Sequence, residues 1–296
     1  MIEGIFVEGL IYGIMALGVF FTFRILDFPD LTVDGSFPLG AVIMAVALEN
    51  GWGILAGTWL AFAGGTCAGI VTATIHNKLK VPHLLAGILT MTMLYSVNLR
   101  ILSNRANLPL MNVRNVMDVI AEKTGGIIPE AWAYLIFFIL VVVFIKLSLD
   151  LFFHTDMGLV FGALGNNTQM VINQGISPDT MKLIGVGLAN GLVALSGAFA
   201  AQYLGFADVN LGQGIVISGL ASVMLGEFLL KSNRISILTL RVILGAVLYK
   251  AIMYFGRFYG YYIHMTPNDL KLISGLLVIA SLFFANYKKI KEKGDG

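Results

Sequence analysis

Charge is scarce in this sequence. Of its 296 residues, 12% are Asp, Glu, Lys or Arg and 57% are hydrophobic, whereas soluble domains carry roughly 25% charged residues. Because so few polar side chains cannot cover the chain in water, its surroundings must be lipid. The formal net charge of +2 also gives no basic surface for a nucleic acid, which excludes that class of partner.

Residues for several kinds of chemistry are missing as well. The single cysteine, Cys67, excludes an internal disulfide and a CxxC metal site. The four histidines share no metal-ligand spacing, and no Ser-His-Asp, paired-carboxylate or HExxH arrangement can be assembled, so we expect no catalytic residues, no metal and no enzyme activity. No GxxxxGK[ST] phosphate loop is present. We therefore expect no cofactor in this chain, and any ATP that drives it would be bound by another polypeptide.

Long apolar runs are present instead. Crossing the hydrocarbon core takes ~20 apolar residues, and the runs predict an all-α polytopic membrane protein with about nine transmembrane segments (8–10). The segments lie at 4–25, 35–49, 52–74, 83–102, 131–149, 181–203, 211–230, 235–255 and 268–287. The second of them is short and contains Gly35, Pro38 and Gly40, so a re-entrant segment is an alternative.

The basic residues predict the orientation. The tail at 288–293 is rich in lysine and should be cytoplasmic, because positive charge stays on the inner side. Counting segments backwards from the tail places the short basic loops around Lys78, Lys146 and Lys231 inside as well. The loop 103–130 then falls outside with no net charge. This arrangement puts the N-terminus outside and the C-terminus in the cytoplasm.

An internal repeat relates the two halves of the chain. A shift of 178 residues aligns eight identical residues within a window of 22, more than chance supplies. The pairs are Gly9 and Gly187, Gly13 and Gly191, Ala16 and Ala194, Leu17 and Leu195, Phe21 and Phe199, Leu26 and Leu204, Phe28 and Phe206, and Asp30 and Asp208. Five segments separate the two starting points, so the copies should cross the membrane in opposite senses. Inverted repeats are typical of transporters.

The repeat sets the expected organisation of a single permease domain, 1–296. The first repeat covers about 4–102, a connector helix 131–149, a cytoplasmic coupling segment 150–180, and the second repeat about 181–287. Each repeat contains a Gly-rich or Pro-rich break between apolar runs, at 28–40 and 206–214. Irregular backbone at membrane depth is tolerated only inside protein or beside water.

The two breaks are the predicted translocation pathway. The candidate residues are Asp30, Asp34, Gly35, Asp208, Asn210 and Gly212. The alternative is that these aspartates only cap the helices that follow them. Charged residues within the runs, Glu8, Arg241 and Lys250, are expected to pair or to reach the membrane surface, and Glu227 is expected to cap its helix or to contact an ATPase.

The coupling segment contains little charge and reads as two short helices, 158–164 and 167–174, the second capped by Asn166 or Asn167 and ended by Gly175. Apolar residues lie among amides at 170–172, which favours docking to another protein over a solvated loop. The residues predicted to form this docking surface, called the coupling residues, are Gly158, Ala163, Gly165, Asn166, Gly175 and Ile176. An ordinary helical connector is the alternative.

The order of these coupling residues resembles the coupling segment of the branched-chain amino acid and ribose class of ABC importer permeases, although Leu159 stands where that class often has a basic residue. The opening stretch 9–41 is similar to the first two segments of the same class. It most resembles the branch associated with tryptophan and tyrosine uptake.

The resemblance implies a fold, partners and a function. Two permease copies, identical or sister chains, would enclose a pore in the bacterial cytoplasmic membrane. Two ABC ATPase subunits would dock beneath it, and an extracytoplasmic solute-binding lipoprotein would deliver a small polar solute. By resemblance that solute is an aromatic or branched-chain amino acid, and sugars or nucleosides are the next alternatives. The other hypothesis is a secondary transporter driven by protons or sodium through Asp30, Asp34 or Asp208.

Overall fold

A computed structural model describes residues 2–111, 113–126, 128–230, 232, 234–260 and 272–279. Its first half contains α1 (Ile2–Phe20), a π-helical turn (Phe21–Ile25), α2 (Val33–Glu49), α3 (Ile54–Leu79), α4 (His83–Ile101), β1 (Asn107–Pro109) and α5 (Val116–Thr124). Its second half contains α6 (Glu130–Phe153), α7 (Asp156–Asn166), α8 (Thr168–Asn173), α9 (Pro178–Leu204), β2 (Phe206–Asp208), a 3₁₀ turn (Val209–Gly212), α10 (Ile215–Leu229) and α11 (Ile235–Gly260). Residues 272–279 are also helical.

Among the described residues, seven helical stretches are long and apolar enough to cross a membrane. They correspond to seven of the nine predicted segments. The second predicted segment forms the shorter α2, and most of the ninth, with the basic tail, lies outside the described residues. The chain is therefore a mostly helical, multi-pass membrane protein.

Local sequence fixes several helix ends as predicted. The Ser177 hydroxyl accepts a hydrogen bond from the N–H of Thr180, and Pro178 occupies the first turn of α9. Helix α6 begins at Glu130 after Pro129. Four bounds differ from the prediction by four or five residues. Helix α10 begins at Ile215, because residues 209–212 form a 3₁₀ turn, and α3, α6 and α11 continue to Leu79, Phe153 and Gly260.

Helix α9 lies at the centre of the bundle and packs against α1, α2 and α3. A Cβ at Gly40 of α2 would overlap the carbonyl oxygen of Ala194, and a Cβ at Gly197 would overlap that of Phe37. Gly65 of α3 approaches the backbone of Asn190 as closely. Glycine lets these helices meet at backbone distance, which is the usual way helices associate in lipid.

The two predicted repeats pack in matching ways. Helix α1 packs along α11, as α9 packs along α3, and α10 packs on α11 as α2 packs on α3. The aligned glycines take part: Gly9 faces Val247 of α11, and Gly187 faces Ile70 of α3.

The described part of the loop 103–130 contains a strand and a helix. Strand β1 pairs antiparallel with β2, with Leu108 opposite Ala207. Helix α5 begins with a capping box in which Asn115 and Asp118 satisfy each other's backbone N–H groups. The side chain of Gln202, at the end of α9, accepts a hydrogen bond from the N–H of Val116 at 3.1 Å. These contacts attach the loop to the start of the second break.

Candidate translocation and coupling sites

The first break is held by a buried polar network. One Asp30 oxygen accepts the N–H of Thr32 at 2.8 Å, and the other accepts the amide of Asn190 at 2.6 Å. The Ser36 hydroxyl donates to the Asn190 oxygen at 2.7 Å, and the hydroxyls of Thr32 and Thr72 lie 2.7 Å apart. All five side chains are fully buried. Asp30 therefore holds the backbone at Thr32, the residue before α2, from inside the protein and ties it to the middle of α9.

Asp34 links the two breaks. Its carboxylate accepts the N–H groups of Gly214 at 3.1 Å and Val216 at 2.9 Å, the first amides of α10. Gly214, the residue before α10, provides no side-chain cap, so the carboxylate of α2 supplies it and faces the positive end of the helix dipole. Gly212 lies so close that a Cβ there would overlap the Asp34 carbonyl oxygen.

The N-termini of α2 and α10 thus meet near the mid-depth of the bundle. Ser36 of α2 bonds Asn190 near the middle of α9, and Gly219 of α10 packs against Met15 and Val19 in the C-terminal half of α1. Discontinuous helices whose N-termini converge at mid-depth are a recurrent way to build a solute site in transporters.

The remaining predicted pathway residues lie around this point. Gly35 is buried and packs against Leu94 and Met91 of α4. Asp208 caps the 3₁₀ turn by accepting the N–H of Asn210 at 2.7 Å, and it also accepts the Asn210 side-chain amide at 3.1 Å. Asp30, Asp34 and Asp208 all accept backbone N–H groups at the breaks, and Asp34 also borders a cavity. Their place in the translocation pathway stays a prediction.

That cavity of about 350 Å³ lies between α2, α4 and the second break. Its lining residues are Asp34, Gly35, Pro38, Met91, Thr92, Tyr95, Asn98, Val209, Gln213 and Gly214. It collects Asp34 and Gly35 but not Asp30, which is enclosed by the polar network. The α4 residues were not predicted, since nothing in the spacing of Thr92, Tyr95 and Asn98 distinguishes them from residues that face lipid.

The coupling segment packs tightly on the end of α1. Gly165 of α7 lies so close to the π-helical turn that a Cβ would overlap the Ile25 carbonyl oxygen, and Gly158 lies equally close to the backbone at Phe153. The Phe161 ring fills the space between, edge-on to Phe21 at 5.2 Å. Small residues at these positions therefore seat α7 against the transmembrane helices.

The other predicted coupling residues shape α8 and its surface. Asn167, not Asn166, caps α8 by accepting the N–H of Met170 at 3.1 Å, whereas the Asn166 amide donates to the Gly162 carbonyl oxygen. Gly175 follows α8 with a φ of 77°, a conformation that suits glycine. Ala163 and Ile176 are partly buried against the Phe161 cluster.

Three apolar side chains of this segment are exposed. Leu159 is 59% exposed, Met170 50% and Ile172 46%, while Val171 between them is buried. An exposed apolar patch among amides is typical of a surface that meets another protein.

Charged residues inside the helices are paired. Glu227 of α10 lies 3.0 Å from both Arg24, in the π-helical turn, and Arg241 of α11. Lys250 pairs with Glu8 at 3.2 Å and lies over the Tyr12 ring. Glu227 thus joins three elements close to the coupling segment. Among the described residues, no group of three or more His, Cys, Asp or Glu side chains could hold a metal ion.

Comparison with known proteins agrees with this architecture. Residues 1–282 match the family model described as the permease component of branched-chain amino acid transport systems. The chain is 41% identical over 285 residues to a tyrosine transport system permease protein of Clostridioides difficile, which covers 96% of this chain and 91% of that protein. An uncharacterized protein of Rickettsia prowazekii is 31% identical over 93% of this chain and 94% of its own length.

A more distant relative is an autoinducer 2 import system permease protein of Photorhabdus luminescens, 25% identical over 67% of this chain and 57% of that protein. No solved structure matches the chain. The first two relatives are matched over more than nine-tenths of both chains, and the two with described roles are transport permease subunits. The chain therefore belongs to the family of branched-chain amino acid transport system permease components.

Proposed function

We propose that this chain is the membrane-spanning permease subunit of an ATP-driven ABC importer in the bacterial cytoplasmic membrane. Its solute is an amino acid, with tyrosine first and branched-chain amino acids next. Nine segments form an inverted repeat with the N-terminus outside and the C-terminus inside. The convergence of the α2 and α10 N-termini at Asp34, one from each repeat, carries this proposal, because two related halves that meet at mid-depth can open a passage to either side in turn.

The coupling segment supports the ATP-driven reading over a secondary transporter. Met170 and Ile172 are exposed on α8, and α7 presses on the π-helical turn through Gly165. An ATPase bound to this patch would move the turn as a rigid unit and, through Arg24 and Glu227, the end of α10. A solute-binding lipoprotein and a second permease copy complete the proposed complex.

Reconstitution into proteoliposomes distinguishes the ATP-driven importer from the secondary transporter. Proteoliposomes that contain the chain with its ATPase and binding protein are expected to accumulate radiolabelled L-tyrosine when ATP is present on the ATPase side. Branched-chain amino acids serve as the second set of solutes. Accumulation that needs a sodium or proton gradient and ignores ATP would instead establish the secondary transporter that uses Asp30, Asp34 or Asp208.

A further inference from the structure

The cavity at the meeting of the two breaks contains a buried acceptor without a donor. The side-chain amide of Asn98 donates to the Gly35 carbonyl oxygen at 3.3 Å. Its oxygen Oδ1 has no hydrogen-bond partner, and the residue is 1% exposed. The Gly35 carbonyl fixes the orientation of the amide, since a flipped Asn98 would set two oxygens against each other. A buried acceptor without a partner calls for an explanation, and an absent ligand supplies one.

The other polar groups of the cavity are also acceptors. Each Asp34 oxygen accepts one backbone N–H, so lone pairs remain on both. The Thr92 hydroxyl donates its proton to the Ile88 carbonyl oxygen at 2.8 Å, and the Gln213 amide donates to the Asn210 oxygen at 3.2 Å. Both side chains therefore keep an oxygen acceptor for a ligand, and Gln213 also keeps one amide proton.

Cations are missing from the lining residues. None of them is Lys, Arg or His, and no described cation pairs with Asp34. The first amides of α10 are already occupied by Asp34, so they cannot hold a carboxylate. A carboxylate ligand would face the Asp34 carboxylate with no cation in the lining to balance it, whereas an ammonium group, with three donors, matches Asp34 and Asn98 Oδ1.

We propose that this cavity receives the ammonium group of the transported amino acid, with Asn98 Oδ1 and the Asp34 carboxylate as its acceptors. The inference rests on the proposed function, because it takes the ligand to be the imported solute. Met91 and Pro38 provide apolar surface for the rest of the molecule, and the Tyr95 ring offers an aromatic face.

Two probes that each lack one charged group of tyrosine test the charge preference. Tyramine has the ammonium and phenol of tyrosine without its carboxylate, and 3-(4-hydroxyphenyl)propionate has the carboxylate without the ammonium. With the full chain in lipid nanodiscs, titration followed by saturation-transfer NMR is expected to give tyramine a dissociation constant at least about tenfold below that of the acid, the effect of one charge-assisted hydrogen bond. Equal binding of the two probes, or binding of neither, overturns the proposal.

Substitutions test whether Asn98 accepts a hydrogen bond from the ammonium group. Asn98→Leu is expected to weaken tyramine binding about tenfold. Asn77→Leu is the matched control, because the Asn77 oxygen is also unpartnered but lies outside the cavity. Wild-type affinity for tyramine in Asn98→Leu overturns the proposal. If that variant fails to fold, the comparison of tyramine with 3-(4-hydroxyphenyl)propionate on the wild-type chain decides.

Sodium separates an ammonium site from a cation site. Tyramine binding is expected to be the same in sodium chloride and choline chloride at equal ionic strength, and specific displacement by sodium would contradict the proposal. The result that would contradict the ammonium site differs from the result that would contradict the importer. ATP-driven tyrosine uptake with equal binding of both probes would contradict only the ammonium site, while tyramine binding without ATP-driven uptake would contradict only the importer.

Discussion

At the scale of single residues, asparagines and aspartates decide how the breaks are built. Asp30, Asp34 and Asn190 each satisfy groups on a different helix, so each position depends on the hydrogen-bonding type of its partner as well as on its size. In a low-dielectric interior such bonds are strong, and a lost partner is costly.

The Asp30–Asn190 pair is open to an exchange experiment. Asp30→Asn alone would set two amides against each other, and we expect about 1–3 kcal/mol of destabilisation from the unpartnered buried group. The double variant Asp30→Asn with Asn190→Asp restores a donor and an acceptor, and Ser36 can still donate to residue 190. It should recover a large part of the lost stability in thermal unfolding of the nanodisc-embedded chain. Additive losses in the double variant would contradict a direct pair.

Gly165 gives a second test at this scale. Gly165→Ala adds one methyl group against the Ile25 carbonyl oxygen and is expected to cost about 1–3 kcal/mol of docking, as overpacking does. Tyrosine uptake per ATP hydrolysed should fall severalfold while membrane insertion is unchanged. Gly162→Ala on the same helix is the matched control, because nothing lies within 4 Å of a Cβ there. Equal uptake per ATP hydrolysed in the two variants would show that the packing of α7 on the π-helical turn does not contribute to coupling.

At the scale of helices and turns, the π-helical turn connects the coupling segment to the second half. It carries Arg24, which shares Glu227 with Arg241, and its Ile25 carbonyl supports α7. A π turn is a common place for a helix to accommodate a functional contact. A motion of α7 would therefore be transmitted to α10 and α11 through one ion-pair cluster.

Glu227→Gln tests that cluster. The substitution leaves the buried Arg241 guanidinium, 9% exposed, without its carboxylate, and we expect about 1–3 kcal/mol of destabilisation, between the values for buried and surface pairs. Glu122→Gln breaks the exposed pair with Arg114 and serves as the comparison, with an expected change near zero. Thermal unfolding of both variants gives the measurement. Similar shifts in melting temperature would show that the cluster contributes no more than a surface pair.

Sequence predicted the elements whose causes are local. Ser177 and Pro178 start α9, and Gly175 ends the turn after α8, because a cap or a φ value depends on adjacent residues. The position of Asn98 against Gly35, 63 residues away, has no such local signal. The cap that α10 receives from Asp34, 180 residues earlier, also required the fold.

At the scale of the whole molecule, contacts alone assign several loops to common faces. Strand β1 meets β2 at the end of α9, so the loop 103–130 and the second break share one face. Lys80, after α3, pairs with Asp179 at the start of α9 at 3.7 Å, which places the coupling segment on the other face with that loop. The excess of positive charge predicts which of these faces is cytoplasmic.

Cysteine labelling tests this sidedness. In a Cys67→Ser background, Glu122→Cys on α5 is expected to react with a membrane-impermeant maleimide in intact cells, since the Glu122 side chain is 59% exposed on the face predicted to be outside. Gln174→Cys, exposed at the end of α8, should react only after permeabilisation. The reverse pattern would mean that the chain has the opposite orientation in the membrane. Labelling of both sites from outside would place α5 and α8 on the same side, which contradicts the predicted inverted repeat. Because the sequence contains one cysteine, Cys67→Ser alone gives a cysteine-free control. Each added cysteine then reports the position of one loop.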